Sequence, residues 1–377
     1  MIYLDNSATT RVHPEVLEAM LPYLQEEYGN PSSKHYTLAQ NVKKATEEAR
    51  YYISQLIGCN PDEVIFTSGS TESNNMILKG VLDIYDPLDR HLVVSKTEHS
   101  SVIETAKFLE SKRVLVTYLN VDKYGRVDNE ELEVVIKNLQ KGSLVSIIWG
   151  NNETGSLNNI GSIAELCKIY NVLFHTDATQ VLGKIDVRNS MEGIRFLSCS
   201  AHKLHGPKGI GACIIKKDHL GVKTHVTPLI HGGGQEFDYR SGTLSTHNII
   251  GFGKAAEIAL REINETQQIL KQLESHLVTR LNEYFSEILS FNNDVGNKIP
   301  GIINVKFTGV DNEFLIKELG DRVALASGSA CSSTKPSHVL ASMGLSLEQI
   351  RSSVRISLSK YNTIEEIDLF CKMLAGD

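Results

Sequence analysis

The sequence has few of the features that mark membrane, secreted or metal-binding proteins. It contains six cysteines in 377 residues, without the CxxC or clustered spacing of a zinc ribbon or a disulfide framework. No uncharged apolar run approaches the roughly 18 residues that a membrane helix needs. The N-terminus also lacks the basic and long apolar regions of a secretory signal peptide. We therefore expect a reduced, cytoplasmic protein that does not act at a membrane.

Basic charge is also scarce. The net charge is −7, from 45 acidic and 38 basic residues, whereas proteins that bind nucleic acid directly carry a basic patch or stripe. Hydrophobic residues make up 41% of the chain and charged residues 22%, which is typical of a globular protein. At roughly 100–200 residues per domain, the length favours two domains. We expect no direct nucleic-acid partner.

Short β-branched runs alternate with longer helical patterns over the first 255 residues, which favours an α/β fold. The predicted strands are Glu63–Thr67, His91–Ser95, Arg113–Leu119, Leu144–Trp149, Val172–Thr176, Phe196–Ser198 and Gly211–Lys216. The predicted helices are Pro14–Tyr28, Ala39–Leu56, Ser70–Tyr85, Ser100–Glu110, Asn129–Leu139, Ile163–Tyr170 and a long one over Asn248–Ser290. We predict a large domain over 14–255 with a mainly parallel sheet, and a smaller α+β domain formed by 1–13 and 256–377.

Polar side chains follow five consecutive predicted strands at the point where each strand ends. These segments are 67–74 (Thr-Ser-Gly-Ser-Thr-Glu-Ser-Asn), 97–99 (Thr-Glu-His), 151–153 (Asn-Asn-Glu), 175–180 (His-Thr-Asp-Ala-Thr-Gln) and 198–203 (Ser-Cys-Ser-Ala-His-Lys). In open α/β sheets, ligands bind at the carboxyl ends of the strands. The five segments together predict a ligand pocket.

The segment Thr67–Thr71 opens a helix directly after a strand. Free backbone N–H groups and the hydroxyls of Ser70 and Thr71 form a phosphate cup at such a helix start. An ordinary helix cap explains the same residues equally well. A nucleotide P-loop does not, because the lysine of GxxxxGK[ST] is missing.

Asp177 and Lys203 are the two ionisable candidates for catalysis. Asp177 ends a strongly apolar strand, where a carboxylate needs a partner; the pyridinium nitrogen of pyridoxal phosphate is one, and a helix cap or an ion pair is the alternative. Lys203 lies between an apolar strand and a glycine-rich turn, so its amine can bind an aldehyde cofactor covalently or lie on the surface, as most lysines do. His202 and His205 have no evident acidic or cysteine partner, so we expect no metal site.

Several blocks of sequence resemble, in order, the signature motifs of the NifS/IscS-like cysteine desulfurases. They are 3–10 (YLDNSATT), 29–35 (GNPSSKH), 67–75 (TSGSTESNN), 151–155 (NNETG), 175–180 (HTDATQ), 200–211 (SAHKLHGPKGIG), 233–243 (GGQEFDYRSGT), 327–331 (SGSAC) and 354–358 (VRISL). The matches extend from residue 3 to about 367, nearly the whole chain. The resemblance implies the aspartate-aminotransferase-like fold (pyridoxal-phosphate fold type I, class V branch) and conversion of L-cysteine to L-alanine with sulfur transfer.

The resemblance also implies pyridoxal 5'-phosphate as cofactor and assigns residues to it. Lys203 would bind the cofactor covalently and move the Cα proton, and His99 would stack on its ring. Asp177 would pair with the pyridine nitrogen, and Gln180 would hydrogen-bond the ring hydroxyl. The phosphate would be bound by Ser70, Thr71, Ser200 and His202, with Thr243 contributed by the neighbouring subunit of a homodimer.

By the same resemblance, the substrate carboxylate would be bound by Asn152 and Arg355, and Asn152 would also contact the cofactor. Cys331 would take the sulfur as a persulfide. The residues around Cys331, Ser-Gly-Ser-Ala-Cys-Ser-Ser-Thr, have the composition of an exposed, mobile loop, which a thiol needs if it is to reach a pocket and pass sulfur outward. The other five cysteines lie in helical or strand patterns and are better explained as small hydrophobic residues.

The resemblance further implies a sulfur-acceptor protein, such as an iron–sulfur scaffold or a tRNA-thiolation enzyme, and transient ligation of an iron–sulfur cluster by Cys331. The segment from Cys331 to Pro336 is a couple of residues shorter than in the longest-looped relatives, and the chain ends at Asp377 without the extended tail of some relatives; both differences concern the acceptor side. Selenocysteine lyase or another class V enzyme is the alternative. A non-catalytic scaffold would be expected to lack Lys203 or Cys331, and both are present.

Overall fold

The computed structural model describes residues 1–86, 89–139, 142–218, 220–328 and 336–376, so Cys331 lies outside the described residues. The strands in this part of the chain are β1 (Ile2–Tyr3), β2 (Val64–Thr67), β3 (His91–Ser95), β4 (Leu115–Leu119), β5 (Ser143–Ser146), β6 (Leu173–Asp177), β7 (Phe196–Ser200), β8 (Gly211–Ile215), β9 (Leu289–Phe291), β10 (Ile302–Phe307), β11 (Val323–Ala324) and β12 (Ser353–Ser357). The helices are α1 (Pro14–Met20), α2 (Pro22–Gln25), α3 (Thr37–Ile57), α4 (Ser70–Leu82), α5 (Ser100–Ser111), α6 (Asn129–Ile136), α7 (Ile160–Ile169), α8 (Thr246–Phe285), α9 (Asn312–Leu319), α10 (His338–Ser342), α11 (Leu347–Arg351) and α12 (Ile364–Ala375).

A seven-stranded sheet in the order β2-β8-β7-β6-β5-β3-β4 forms the centre of the fold. Its strands are parallel except β8, which runs antiparallel to both of its neighbours. Successive residues of a strand face opposite sides of a sheet. Accordingly, Val93 packs into a cluster with α3, α7 and the first part of α8, whereas Leu92 and Val94 pack into a second cluster with α4 and α5. The predicted α/β architecture with a mainly parallel sheet is confirmed.

A second, antiparallel sheet in the order β12-β10-β9 lies in the C-terminal part of the chain. Its apolar face packs against the second half of α8 and against α12, through residues such as Leu277 and Phe370. Helix α8 thus joins two hydrophobic cores, because Phe252 near its start belongs to the core of the large sheet. The division that we predict at residues 255 and 256 falls within this continuous helix and stays a prediction.

The helix predicted over Pro14–Tyr28 is instead two short helices, α1 and α2. Pro22 lacks a backbone N–H and cannot continue the hydrogen-bond ladder of α1, so the chain restarts as a separate turn. Among the helices in the described part of the chain, none is both long and apolar enough to cross a lipid bilayer.

Two glycines allow strand β8 to approach the start of helix α4. A Cβ placed on Gly211 would lie 2.4 Å from the Cys199 carbonyl oxygen and 2.7 Å from the Cα of Gly69. Gly69 itself has a φ of 153° and is the N-cap of α4, a conformation that glycine adopts far more readily than other residues. The absence of side chains at these two positions brings the N-terminus of α4 against the end of strand β7, where the candidate site begins.

Candidate active site

A cavity of about 400 Å³ opens at the carboxyl ends of the parallel strands. Nine of the residues that we predict at the site line it: Ser70, Thr71, His99, Asn152, Asp177, Gln180, Ser200, His202 and Lys203. They come from the ends of β3, β5, β6 and β7 and from the first turn of α4. The prediction that these separate segments form one pocket is therefore confirmed.

The start of helix α4 provides a place for an anion at one end of the cavity. The backbone N–H of Ser70 donates to Ser200 Oγ at 2.7 Å, and Ser200 Oγ donates to Ser70 Oγ at 3.0 Å. Helix N-termini carry free N–H groups and a partial positive charge. Together with the hydroxyl of Thr71, which lines the same wall, they form a cradle with the donors that a phosphate needs.

Asp177 is the last residue of β6 and is only 3% exposed. Its Oδ2 accepts a hydrogen bond from Asn74 Nδ2 at 2.8 Å, and its Oδ1 accepts one from the backbone N–H of Thr179 at 3.0 Å. These contacts fix the carboxylate at the cavity wall without neutralising its charge, since neither donor is a cation. The site therefore presents a buried negative charge that suits a cationic ring nitrogen.

Lys203 follows strand β7 in a single turn of 3₁₀ helix. Its Nζ donates to the backbone carbonyl oxygens of Ser7 and of Ala8, the latter at 2.7 Å. Burial, followed by the positive charge of Arg355, lowers the pKa of Lys203 to about 8. The lowered pKa increases the neutral fraction of the amine near physiological pH, and the neutral form is the one a nucleophilic or basic lysine requires.

His99 and Gln180 face the same cavity. His99 caps helix α5, since its Nδ1 accepts from the backbone N–H of Ser101 at 3.2 Å. Burial is the main cause that lowers the pKa of His99, so the ring stays neutral and can lie flat against an aromatic ligand. Gln180 donates from Nε2 to the Ser7 carbonyl at 2.9 Å and accepts at Oε1 from Lys184 Nζ at 3.2 Å.

Two predicted site residues do not line the cavity. Thr243 is exposed on a loop. Arg355 is fully buried: its Nη2 donates to Asp5 Oδ1 at 2.6 Å, and its Nη1 donates to the carbonyls of Asn152 at 3.1 Å and Gly328 at 3.2 Å. Arg355 thus lies directly behind Asn152 and is paired with a carboxylate in this structure.

The structure adds residues that sequence reasoning did not assign to the site. The Ser7 and Ala8 carbonyls come from the N-terminal segment, almost 200 residues before Lys203. No side-chain chemistry could have pointed to them, because backbone groups carry no residue signature. Asn74 lies within the predicted strand-end segment 67–74 but was given no role of its own, although it lies one helical turn after Ser70 and residues at i and i+4 share a helix face.

Glu98 is a buried acid beneath the site. Its Oε1 accepts from Ser95 Oγ at 2.6 Å and from the backbone N–H of Ile148 at 2.9 Å, and burial raises the pKa of this carboxyl to about 8. Because that value lies above the usual 4.5, the folded protein holds a proton that the unfolded chain releases. The free energy of unfolding therefore falls as pH rises from about 4.5 to about 8.

Glu98→Gln is therefore expected to stabilise the apoprotein at pH 8 by up to about 4 kcal/mol, and to make little difference at pH 5. The amide keeps an acceptor for Ser95 and Ile148 and removes the titration. Chemical denaturation of both proteins at the two pH values measures this. Equal pH dependence of the free energy of unfolding in both would contradict it.

The cysteines in the described part of the chain are poor nucleophile candidates. Cys167, Cys199, Cys213 and Cys371 are buried, and Cys59 is half-buried. Burial raises the pKa of Cys167, Cys199 and Cys371 to about 12 and raises those of Cys59 and Cys213 as well. Since the thiolate is the reactive form, burial makes these five thiols weak nucleophiles at neutral pH. Within the described ranges, no group of three or more histidine, cysteine or acidic side chains is arranged to hold a metal ion.

Comparison with known proteins identifies the relatives of this chain. Residues 2–370 match the family described as aminotransferase class-V. The chain is 42% identical over 371 residues to "Cysteine desulfurase IscS" of Dictyoglomus turgidum, covering 97% of this chain and 92% of that protein. It is 41% identical to "Cysteine desulfurase, mitochondrial" of Arthroderma benhamiae, covering 98% of this chain and 73% of that protein. A solved structure of a "NifS-like protein" superposes with a TM-score of 0.91 at 36% identity, covering 100% of this chain and 98% of that one.

Proposed function

This chain belongs to the cysteine desulfurases of the class-V aminotransferase family, and from that premise we propose that it converts L-cysteine to L-alanine and passes the sulfur to an acceptor protein. The observation that carries the proposal is the convergence of Lys203, Asp177 and the helix α4 cradle on one cavity. These three features are what an aldehyde, a pyridine nitrogen and a phosphate each require.

Pyridoxal 5'-phosphate fits the residues that are present. The cradle at Ser70 and Ser200 offers donors to a dianionic phosphate, while Asp177 offers a buried carboxylate to a ring cation. Lys203 offers a partly neutral amine to the aldehyde. When bound, the cofactor withdraws electrons from the substrate Cα and so acidifies its C–H bond. The cavity volume of about 400 Å³ lies within the usual range for cofactor sites.

The family resemblance assigns a role to each of these cavity residues. Lys203 would hold the cofactor covalently and would move the proton of the substrate Cα. Asp177 would keep the ring nitrogen protonated, with Asn74 holding the carboxylate in place. His99 would stack on the ring and Gln180 would donate to its oxygen. The phosphate would be bound by Ser70, Thr71, Ser200 and His202.

The substrate carboxylate is proposed to bind at Asn152 and Arg355. Arg355 lies behind Asn152 and donates to its carbonyl, so the two residues act at one place. Asp5 now occupies Nη2 of Arg355 at 2.6 Å. A substrate carboxylate that binds this guanidinium therefore exchanges with Asp5, which keeps the buried cation paired in both states.

Cys331 is the proposed sulfur acceptor within the chain. Its thiolate forms an S–S bond with the substrate sulfur while the substrate Cβ–S bond breaks, the electron pair remains with the substrate carbon, and protonation of that carbon yields alanine. The proposal is supported by elimination among the described cysteines, since burial suppresses the ionisation of the other five. Further acceptors are proposed to be an iron–sulfur scaffold or a tRNA-thiolation enzyme in the cytoplasm, with transient cluster ligation by Cys331.

The function is tested by incubating the cofactor-loaded protein with L-cysteine and, separately, with L-selenocysteine, while alanine is quantified. Alanine from L-cysteine at the higher catalytic efficiency supports a desulfurase. Alanine from selenocysteine alone would instead establish a selenocysteine lyase. If alanine is released from neither substrate, both functions are rejected.

We also propose that the active unit is a homodimer. Thr243 is exposed and does not line the cavity of its own chain, which favours a phosphate contact made in a second subunit. Leu229, Ile230 and Phe237, on the same stretch of chain, are 40%, 38% and 47% exposed, which suits burial between subunits. Sedimentation of the active protein is expected to give a dimer, and a fully active monomer would contradict the proposal.

A further inference from the structure

Lys184 is a buried cation for which the reaction described above has no use. The residue is only 8% exposed, and burying a charge without an opposite charge nearby is unfavourable in free energy. Among the described residues, no carboxylate lies within ion-pairing distance of it. Its Nζ instead donates to Gln180 Oε1 at 3.2 Å. A buried lysine held by a single neutral amide at the edge of an active site calls for a functional explanation.

The two ends of the Gln180 side chain face chemically opposite partners. In its ionised form the Lys184 amine has three donors and no acceptor, so only the Oε1 end of the Gln180 amide can lie against it. The Ser7 carbonyl can only accept, and it lies 2.9 Å from Nε2. Both partners therefore specify the same orientation of the amide, with its NH₂ group on the cavity side.

This orientation leaves a donor available in the cavity. The Nε2 atom carries two hydrogens, and the Ser7 carbonyl takes one of them. That same carbonyl also accepts from Lys203 Nζ, so Gln180 and Lys203 are held by one backbone group. The second hydrogen can reach an acceptor atom of a ligand beside Lys203.

We propose that Lys184 is a positioning residue that locks Gln180 as a hydrogen-bond donor toward the ring oxygen of the cofactor. The inference rests on the proposed function, because the ring oxygen belongs to pyridoxal 5'-phosphate. If the amide were reversed, its oxygen would face both the Ser7 carbonyl and an anionic ring oxygen, which is repulsive. Lys184 removes that alternative.

The charge of Lys184 strengthens the same contact. Burial is the main cause that lowers its pKa to about 7, and the positive charges of Lys203 and Arg355 lower it further. The other titratable groups around the small cavity behind Lys184 are His13, His205 and Lys360, none of which is acidic. An anionic oxygen on the far side of Gln180 favours the ionised amine, and the ionised amine in turn polarises the amide into a better donor.

Lys184→Met, a near-isosteric change without charge or donor, tests the proposal in the cofactor-loaded enzyme. We expect pyridoxal phosphate to dissociate about tenfold faster during dialysis. We also expect the pH midpoint of the bound-cofactor absorbance to rise by about one unit, because a ring oxygen that loses the oriented Gln180 donor holds the chromophore proton more tightly. Lys184→Arg keeps a donor-only cation and is expected to restore both values toward the wild type.

A double-mutant cycle separates positioning from a structural role. If Lys184 acts through Gln180, the shift of the midpoint caused by Lys184→Met disappears in a Gln180→Ala background. The full shift in that background, or an unchanged midpoint in Lys184→Met, would overturn the proposal. Thermal unfolding of the apoproteins checks folding, and Lys184→Gln with the same absorbance titration replaces Lys184→Met if the latter does not fold.

Failure of this inference is distinguishable from failure of the proposed function. The wild-type protein alone decides whether cofactor binds covalently at Lys203 and whether alanine is released from cysteine. If both occur and the Lys184 variants behave as wild type, the function stands and only the positioning role is rejected.

Discussion

Lys203→Ala is expected to reduce alanine release from L-cysteine by about 10³-fold or more. The amine of Lys203 lines the cavity and can bind an aldehyde and move a proton, and burial together with Arg355 lowers its pKa to about 8. Alanine at this position supplies neither function. The cradle at helix α4 and the carboxylate of Asp177 remain, so the variant should still bind cofactor, but only reversibly.

Two measurements check this expectation. Borohydride reduction followed by peptide mapping should give a cofactor-modified Lys203 peptide in the wild type and none in the variant. Lys168→Ala is a matched control, because that lysine is exposed and paired with Glu192 at 2.7 Å. Substantial turnover by Lys203→Ala, or a reducible adduct on another lysine, would show that the amine has been assigned to the wrong residue.

Cys331→Ala is expected to separate cofactor chemistry from sulfur transfer. Because the thiol is proposed only to take the sulfur, the variant should retain bound cofactor and should still show an absorbance change when cysteine is added. Alanine release should fall by about 10²-fold or more, since the substrate sulfur has lost the nucleophile that removes it. Alanine quantification alongside absorbance spectra distinguishes the two steps.

Cys59→Ala provides the control for Cys331→Ala. Cys59 is the least buried of the described cysteines, yet burial and the nearby Glu63 raise its pKa. Its removal should leave alanine release close to the wild-type rate. Loss of release in Cys59→Ala with normal release in Cys331→Ala would reverse the assignment.

The sequence predicted the position of the cavity because of a general property of parallel sheets. Asp177, His99 and Ser200 were recognisable as polar residues at strand ends, and the carboxyl ends of parallel strands meet at one edge. Contacts between distant segments were not predictable in this way. Lys203 is held by carbonyls near the N-terminus, and Arg355 pairs with Asp5, 350 residues away along the chain.

At Arg355, Thr243 and Lys184, the structure also differs from what the sequence alone indicates. The sequence resemblance places Arg355 and Thr243 at the substrate and phosphate, whereas the structure places Arg355 behind the cavity wall and Thr243 on an exposed loop. The proposed role of Arg355 requires that the substrate carboxylate replace Asp5 as its partner, and the proposed role of Thr243 requires a second subunit. A linear motif specifies neither. Lys184 carried no signal, since lysine is usually exposed, and its burial became evident only with the fold.

The most direct test of the account is to locate the transferred sulfur. Wild-type holoenzyme is mixed with L-cysteine, the reaction is stopped by alkylation without reductant, and the peptides are analysed by mass spectrometry. The account predicts one additional sulfur atom on the peptide that contains Cys331, in proportion to the alanine formed in the first turnover. Alanine formed without that persulfide, or a persulfide on Cys59, Cys167, Cys199, Cys213 or Cys371, would contradict it.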